Sequence, residues 1–402
     1  MNRFLVGASV SIFAASLGCE ARSLGGGGTT PINGGAGGST GAGGSAGAEP
    51  TAVVSEIAAG QYHTCARMDD ATVRCWGYNY GGMIGDGTSG NVRLVPVPVA
   101  ELGRVINVLA SYTGSCGLMF YSGVSGGSWR CWGSNNYGQL GDGTATEQHL
   151  PVPVLSDLAV RQLSLGVYHS CALLIDKTVS CYGSNHGGQL GDGTKQDRLT
   201  PAPVPDLAGV AEIAAGAVQT CALLDGGAVS CWGSSGTGTL QNSPALIPGI
   251  SRAVRVVVGS DVMCALLEGG TVSCWGSNEY GQLGDGTTIS RPEPTAVPGL
   301  VGVSALVAGM YHVCALLSDR TVACWGRNAN GELGDGSTIN RSTPTPVPGL
   351  ANVVQVSLGV THSCALLDGG AVSCWGDELA LVEVPVANDP YVGRLRPTPI
   401  AF

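Results

Sequence analysis

Fourteen of the fifteen cysteines in this 402-residue chain come in pairs. The pairs are Cys65 and Cys75, Cys116 and Cys131, Cys171 and Cys181, Cys221 and Cys231, Cys264 and Cys274, Cys314 and Cys324, and Cys364 and Cys374. Paired thiols hold metal or oxidise. Zinc needs four ligands close together, and no second pair lies near any of these. Each pair instead brackets a segment with a turn at its centre, as in CALLDGGAVSC from Cys221 to Cys231. Residues equidistant from a hairpin turn lie opposite one another, ~4.5–5.5 Å apart at Cα, within reach of a disulfide. The spacing therefore predicts seven disulfides, each inside one hairpin, with Cys19 left over.

The other residues able to do chemistry recur in the same register. His63, His169, His312 and His362 each stand two residues before a first cysteine, but the slot holds Gly114, Gln219 and Val262 elsewhere. That favours a structural hydrogen bond over a metal ring. Asp86, Asp142, Asp192, Asp285 and Asp335 each sit in Gly-Asp-Gly. One carboxylate per repeat is too few for calcium, and turn chemistry explains it. Arg198, Arg291 and Arg341 follow such an aspartate by six residues and Arg93 by seven, so pairing across the loop is expected. Trp76, Trp132, Trp232, Trp275, Trp325 and Trp375, with Tyr182 in the third repeat, read as packing residues. Gly123–Gly127 fits G-x-S-x-G, but at a hairpin tip rather than the strand-to-helix turn that motif needs. No catalytic residue, cofactor or metal is expected.

The elements that position these residues repeat. The tripeptide CWG or CYG begins at 75, 131, 181, 231, 274, 324 and 374, a period near 50 broken once by a short step of 43. Such a period means stacked or radially arranged units. Each unit reads as an apolar strand such as VSEIAAG, a corner, a cysteine hairpin, a glycine-rich loop and a Pro-rich strand such as TPTPVPGL. Four short strands per unit make a propeller blade. With 65 glycines and only 12% charged residues, a helical fold is disfavoured. We expect an all-β, seven-bladed β-propeller over residues 51–402.

The words GVYHSCALL (166–174), CWGSNNYGQLGDGT (131–144) and CWGSNEYGQLGDGT (274–287) resemble the regulator of chromosome condensation repeat family. The resemblance recurs seven times over about residues 51–376 and implies a seven-bladed propeller. The fourth unit departs from it with CWGSSGTGTLQNSPALIPG, and the seventh with WGDELALVEVPVANDP. VEVPV (382–386) is read as the last blade's outer strand, and the closing RPTPIAF as an edge strand that fastens the ring. The family's founding members act on a nuclear GTPase and chromatin, and some secreted bacterial relatives inhibit β-lactamases.

Residues 1–19 combine Arg3, an apolar run from Phe4 to Leu17 and Cys19. This is an export signal resembling that of bacterial lipoproteins, which implies lipidation at Cys19. Ordinary cleavage and an uncleaved anchor are the alternatives. Residues 20–50 are mostly Gly, Ser, Ala, Thr and Pro and read as a flexible tether. A formal net charge of −10 offers no basic footprint for nucleic acid. The expected protein is a monomeric, non-enzymatic binding propeller, lipid-anchored at the bacterial cell envelope (outer membrane or cell surface) or else secreted. Its partner is a protein or glycan. Inhibition of an extracellular enzyme and carbohydrate-active catalysis are the alternatives. The non-repeating Phe120–Trp129, Ser234–Pro244 and 377–402 are the candidate binding segments.

Overall fold

The Asp-Gly-Gly phrases reverse the chain where glycine is needed. Gly226 and Gly227 have φ of 89° and 85°, and the Leu224 N–H donates to the Ala228 carbonyl to close the turn. The strands on either side pair antiparallel with Cys221 opposite Cys231. The computed structural model describes residues 52–120, 127–235, 237–238, 241–377 and 394–402. Within them the same hairpin occurs seven times. Each is extended by an inner and an outer strand into a four-stranded sheet whose order follows the sequence.

Blade 1 is Val54–Ala59, His63–Met68, Val73–Tyr78 and Val92–Pro98, from inner to outer strand. Blade 7 is Val353–Leu358, His362–Leu367, Val372–Gly376 and Arg394–Ile400. The fold is thus the expected all-β, seven-bladed propeller, with one disulfide-clipped hairpin per blade. All seven cysteine pairs are bonded, at Cα separations of 4.1 Å. The cysteines are fully buried.

The core is seven clusters between blades rather than one centre. Trp232 of blade 4 packs with Leu190 and Val204 of blade 3, and Trp375 of blade 7 with Leu333 and Val347 of blade 6. The indole N–H of Trp232 donates to the Gln189 carbonyl at 2.9 Å, and that of Trp375 to the Glu332 carbonyl at 2.8 Å. The Q-L-G-D-G loop therefore serves the next blade. Its first glycine lies against that indole, as Gly191 does against Trp232.

One reading of the C-terminal region changes and one holds. The outer strand of blade 7 is Arg394–Ile400, with Thr398 opposite Cys374 and Arg394 opposite Gly376, so VEVPV (382–386) is not that strand. Its sequence RLRPTPI repeats the outer-strand pattern RLTPAP and RSTPTP of blades 3 and 6. Proline suits that position because an outermost strand need not donate on its free side. The closing RPTPIAF supplies an edge strand as expected, and the joint between blades 7 and 1 is made by side chains. The Gln355 side chain of blade 7 accepts from the Ile57 N–H at 2.9 Å and donates to the Ile57 carbonyl at 2.8 Å. Phe402 stacks edge-on against Trp76 of blade 1, 5.4 Å between ring centres.

Candidate binding face

The sequence places tyrosine just before the corner histidine in G-Q-Y-H, G-V-Y-H and G-M-Y-H, giving Tyr62, Tyr168 and Tyr311, and one residue earlier in blade 2, giving Tyr112. These corners follow the inner strands, so they ring one mouth of the central channel. The long loop after each third strand returns to the same face, where the Tyr78 N–H donates to the Tyr62 carbonyl. Loop tyrosines thereby meet corner tyrosines. Tyr137 lies 5.4 Å from Tyr168, Tyr280 lies 5.5 Å from Tyr311, and Tyr62 lies 6.2 Å from Tyr78. Tyr112 extends the second group at 6.3 Å from Tyr168, and His186 extends it at 6.2 Å from Tyr137. The guanidinium of Arg327 stands over the Tyr311 ring.

Most of these rings are half-buried, with Tyr168 and Tyr78 each 37% exposed. Burial pushes the Tyr112 hydroxyl's pKa up, and the phenols of Tyr168, Tyr62 and Tyr311 add to the push. Tyr112 of blade 2 is therefore in electrostatic reach of tyrosines from blades 1, 3 and 6 around a single opening. Burial, Tyr280 and Asp261 likewise raise the Tyr311 pKa, against the pull of Arg327. Aromatic residues with polar tips give a large, rigid contact area at low entropic cost, which suits protein recognition.

Below the tyrosines the channel holds a cavity of about 160 Å³. Its neck is one residue per blade: Gly60, Ser111, Gly166, Gly216, Gly259, Gly309 and Gly359. A side chain at Gly216 would strike the Gly259 carbonyl of the next blade, and one at Gly359 the Gly60 carbonyl. Glycine here lets the seven backbones close tightly.

The expected site residues are structural. Each corner histidine bonds forward to the next blade. His63 Nε2 reaches Ser115 Oγ at 2.7 Å, His169 reaches Thr220 at 2.8 Å, His312 reaches Ser363 at 2.9 Å and His362 reaches Thr64 at 2.9 Å. Thr220 in turn donates to the Gln189 carbonyl at 2.9 Å, so the imidazole Nε2–H is the donor in that chain. The histidines thus tie neighbouring blades rather than their own corner. Burial lowers their pKa values to about 4 for His63 and about 3 for the others. The loop aspartates make turns. Asp192 Oδ1 accepts from the Thr194 N–H and hydroxyl, and Oδ2 pairs with Arg198 at 3.0 Å. Asp86–Arg93, Asp285–Arg291 and Asp335–Arg341 repeat the pairing, while Asp142 takes Gln148 instead. Among the described residues no group of three or more His, Cys, Asp or Glu is placed to hold a metal.

Of the three candidate segments, the described ends of Phe120–Trp129, Phe120 and residues 127–129, lie at the hairpin end, on the opposite face from the tyrosines. Its Trp129 is buried against Leu155 and Val160. Residues 121–126, with the G-x-S-x-G match, fall outside the described residues, as do Cys19 and 20–50, part of Ser234–Pro244 and most of 377–402. The sequence points to the repeat's shared chemistry and to its non-repeating segments, whereas these tyrosines occupy a corner position of the repeat in only some blades. The usable signal was that contrast: an aromatic at a position where other blades carry Val218, Asp261 and Thr361.

Comparison with known proteins places the chain. Two descriptions of the regulator of chromosome condensation (RCC1) repeat match it. The first matches residues 131–173, 178–223, 269–316 and 321–366, and the second matches 54–82, 160–189, 253–282 and 303–332. Together they cover more than half of the chain. The Ultraviolet-B receptor UVR8 of Arabidopsis thaliana is 33% identical over 129 residues, 31% of this chain and 28% of that protein. Human WBSCR16 is similar in structure, with a TM-score of 0.70 and 25% identity over 80% of this chain and 88% of that one. Prp20p of Saccharomyces cerevisiae, whose binding to Gsp1p and histones has been described, gives a TM-score of 0.69 and 22% identity over 87% and 88%.

Proposed function

Because the chain belongs to the regulator of chromosome condensation (RCC1) repeat family, we propose that it is a binding propeller that captures a protein partner on its tyrosine face. The observation that carries this reading is the arrangement of Tyr62, Tyr112, Tyr168 and Tyr311 around the channel mouth. The interblade packing employs the tryptophans, Tyr182 and the histidines, and leaves these four half-buried at the surface. The protein binds rather than converts its partner, and needs no cofactor. It works as a monomer at the envelope of a bacterium, exported and held to the membrane by a lipid on Cys19. Seven buried disulfides support that compartment, since such bonds persist where the milieu is oxidising.

The test replaces Tyr62, Tyr168 and Tyr311 together by alanine and compares what immobilised wild-type and variant proteins retain from an envelope extract. Hot-spot aromatics lose at least ~2 kcal/mol each on truncation, so the partner's binding falls by well over tenfold while the melting curve is kept. Unchanged retention sinks the assignment of the face. Cys19→Ala separately moves the protein from the membrane fraction to the soluble fraction. A wild-type protein that is already soluble ends the lipid-anchor reading.

A further inference from the structure

The channel cavity sits at the centre of the tyrosine face, and its chemistry is unlike that of the rim. Among the described residues no Asp, Glu, Lys or Arg lines it. At the level just below the neck each inner strand ends in a small or aliphatic residue: Ala59, Ala110, Leu165, Ala215, Val258, Ala308 and Leu358. Above the neck, Val167, Met310 and Val360 continue the apolar wall on blades 3, 6 and 7. The cavity's 160 Å³ compares with the roughly 150 Å³ that accepts benzene in an apolar protein cavity. Apolar walls of that size, enclosed by a rim of aromatics, are the setting in which interface hot spots occur: a desolvated pocket at the centre, ringed by contacts that exclude water.

We propose that the channel mouth is an anchor pocket for a single apolar side chain, of phenylalanine or leucine size, projected by the bound partner. The proposal rests on the reading of the tyrosine face as a protein-binding surface and adds what that surface selects. A charged side chain is disfavoured because the polar side chains of the lining, Gln61, Ser111, Tyr112, Ser164 and Ser260, are all neutral and offer it no counter-charge.

The experiment needs no partner, so its outcome is separable from that of the tyrosine variants. Saturation-transfer NMR is recorded on the full propeller with N-acetyl-phenylalanine amide, N-acetyl-lysine amide and toluene. The phenylalanine amide binds with a Kd on the order of 1 mM, as expected for a fragment of this size, and the lysine amide binds at least tenfold more weakly. Val360→Trp and Val167→Trp, on different blades, each fill the mouth and weaken the phenylalanine amide at least tenfold. Using two positions guards against one variant failing to fold, and a melting curve identifies which has. No transfer to the phenylalanine amide, equal binding of the lysine amide, or unaltered binding in both folded variants overturns the pocket. Toluene binding without phenylalanine amide binding assigns the cavity to free small molecules and overturns the anchor.

Discussion

Glu212 shows how much one atom matters at a blade joint. The third residue of an inner strand reaches the free edge of the next blade's inner strand. Gln162 there accepts from the Ile213 N–H and donates to the Ile213 carbonyl, as Gln355 does for Ile57. Glutamine matches both halves of the peptide group, whereas a carboxylate only accepts. At the first joint Glu56 is rescued by Arg67 and by the Asn107 amide at 2.6 Å. At the fourth, Glu212 is 2% exposed, Arg255 stands off at 3.9 Å and Oε1 has no hydrogen-bond partner among the described residues. Burial raises the Glu212 pKa from 4.5 to about 7, more than Arg255 and the Val256 N–H pull it down. The folded state therefore favours the protonated acid, and stability is lost as pH climbs from 4.5 through 7. That shift corresponds to about 3 kcal/mol at most. Glu212→Gln should raise stability at pH 8 by about 1–3 kcal/mol, with the gain shrinking toward pH 5, read by urea denaturation at the two values. A variant no more stable than wild type at pH 8 removes the argument.

At the scale of the element, the hairpin is nearly complete before its disulfide forms. The antiparallel register already sets Cys221 against Cys231, and the closed loop is short. The loop-entropy relation gives about 3 kcal/mol for a 15-residue loop and less for this one. Replacing Cys221 and Cys231 together by serine should cost about 1–3 kcal/mol and leave the ring assembled, as judged by denaturant midpoint and circular dichroism. Complete unfolding would make the bridge a condition of the fold rather than a brace. Because these sulfurs are fully buried, reductant without denaturant should release few thiols. This element was legible in the sequence because its causes are local: a Gly-Gly turn, equal arms and matched cysteines. The blade count followed from the period for the same reason. What the sequence hid depends on neighbours. The forward reach of His169 to Thr220 crosses 51 positions, and no spacing within one repeat announces it. The chain's closing residues RPTPIAF read as an edge strand, but that Arg394–Ile400 is the fourth strand of blade 7 was hidden because residues 377–393 separate it from the third strand, although its R-x-x-P-x-P pattern was there to be matched. The tyrosine face was half legible: the residues were visible, but their convergence needs the ring.

For the whole molecule, closure is a sum of seven joints, and four of them depend on a neutral histidine. An unfolded histidine takes up its proton near pH 6.5, whereas His63 in the ring does so only at about 4 and His169, His312 and His362 at about 3. Burial is the leading cause in each. Their contribution to stability is fully present above pH 6.5 and is lost as pH falls below it, by about 1.4 kcal/mol per pH unit for each histidine. Glu212 works the other way between pH 7 and 4.5, and Glu332, whose pKa burial also raises, has the same sign as Glu212. Four histidines outweigh two glutamates, so the ring should be most stable near neutral pH and loosen steadily from pH 6.5 to pH 5. The loop aspartates enter later. Burial raises the Asp192 and Asp335 pKa values, but hydrogen bonds from Thr194 or Ser337 and from Arg198 or Arg341 leave them below the ordinary range, and their share is lost only in stronger acid. The urea midpoint measured at pH 7.5, 6.0 and 5.0 should therefore fall at each step. Blade 4 supplies the matched control, since Gln219 occupies the histidine slot there and its amide donates to the Ser260 carbonyl without titrating. His169→Gln should keep a cross-blade bond while removing one of the four titrations, flattening the net slope, already reduced by the glutamates, by about a third or more. A midpoint that stays level between pH 7.5 and 5.0 would show that the joints do not depend on uncharged imidazole, and the account of how this ring stays shut would have to be abandoned.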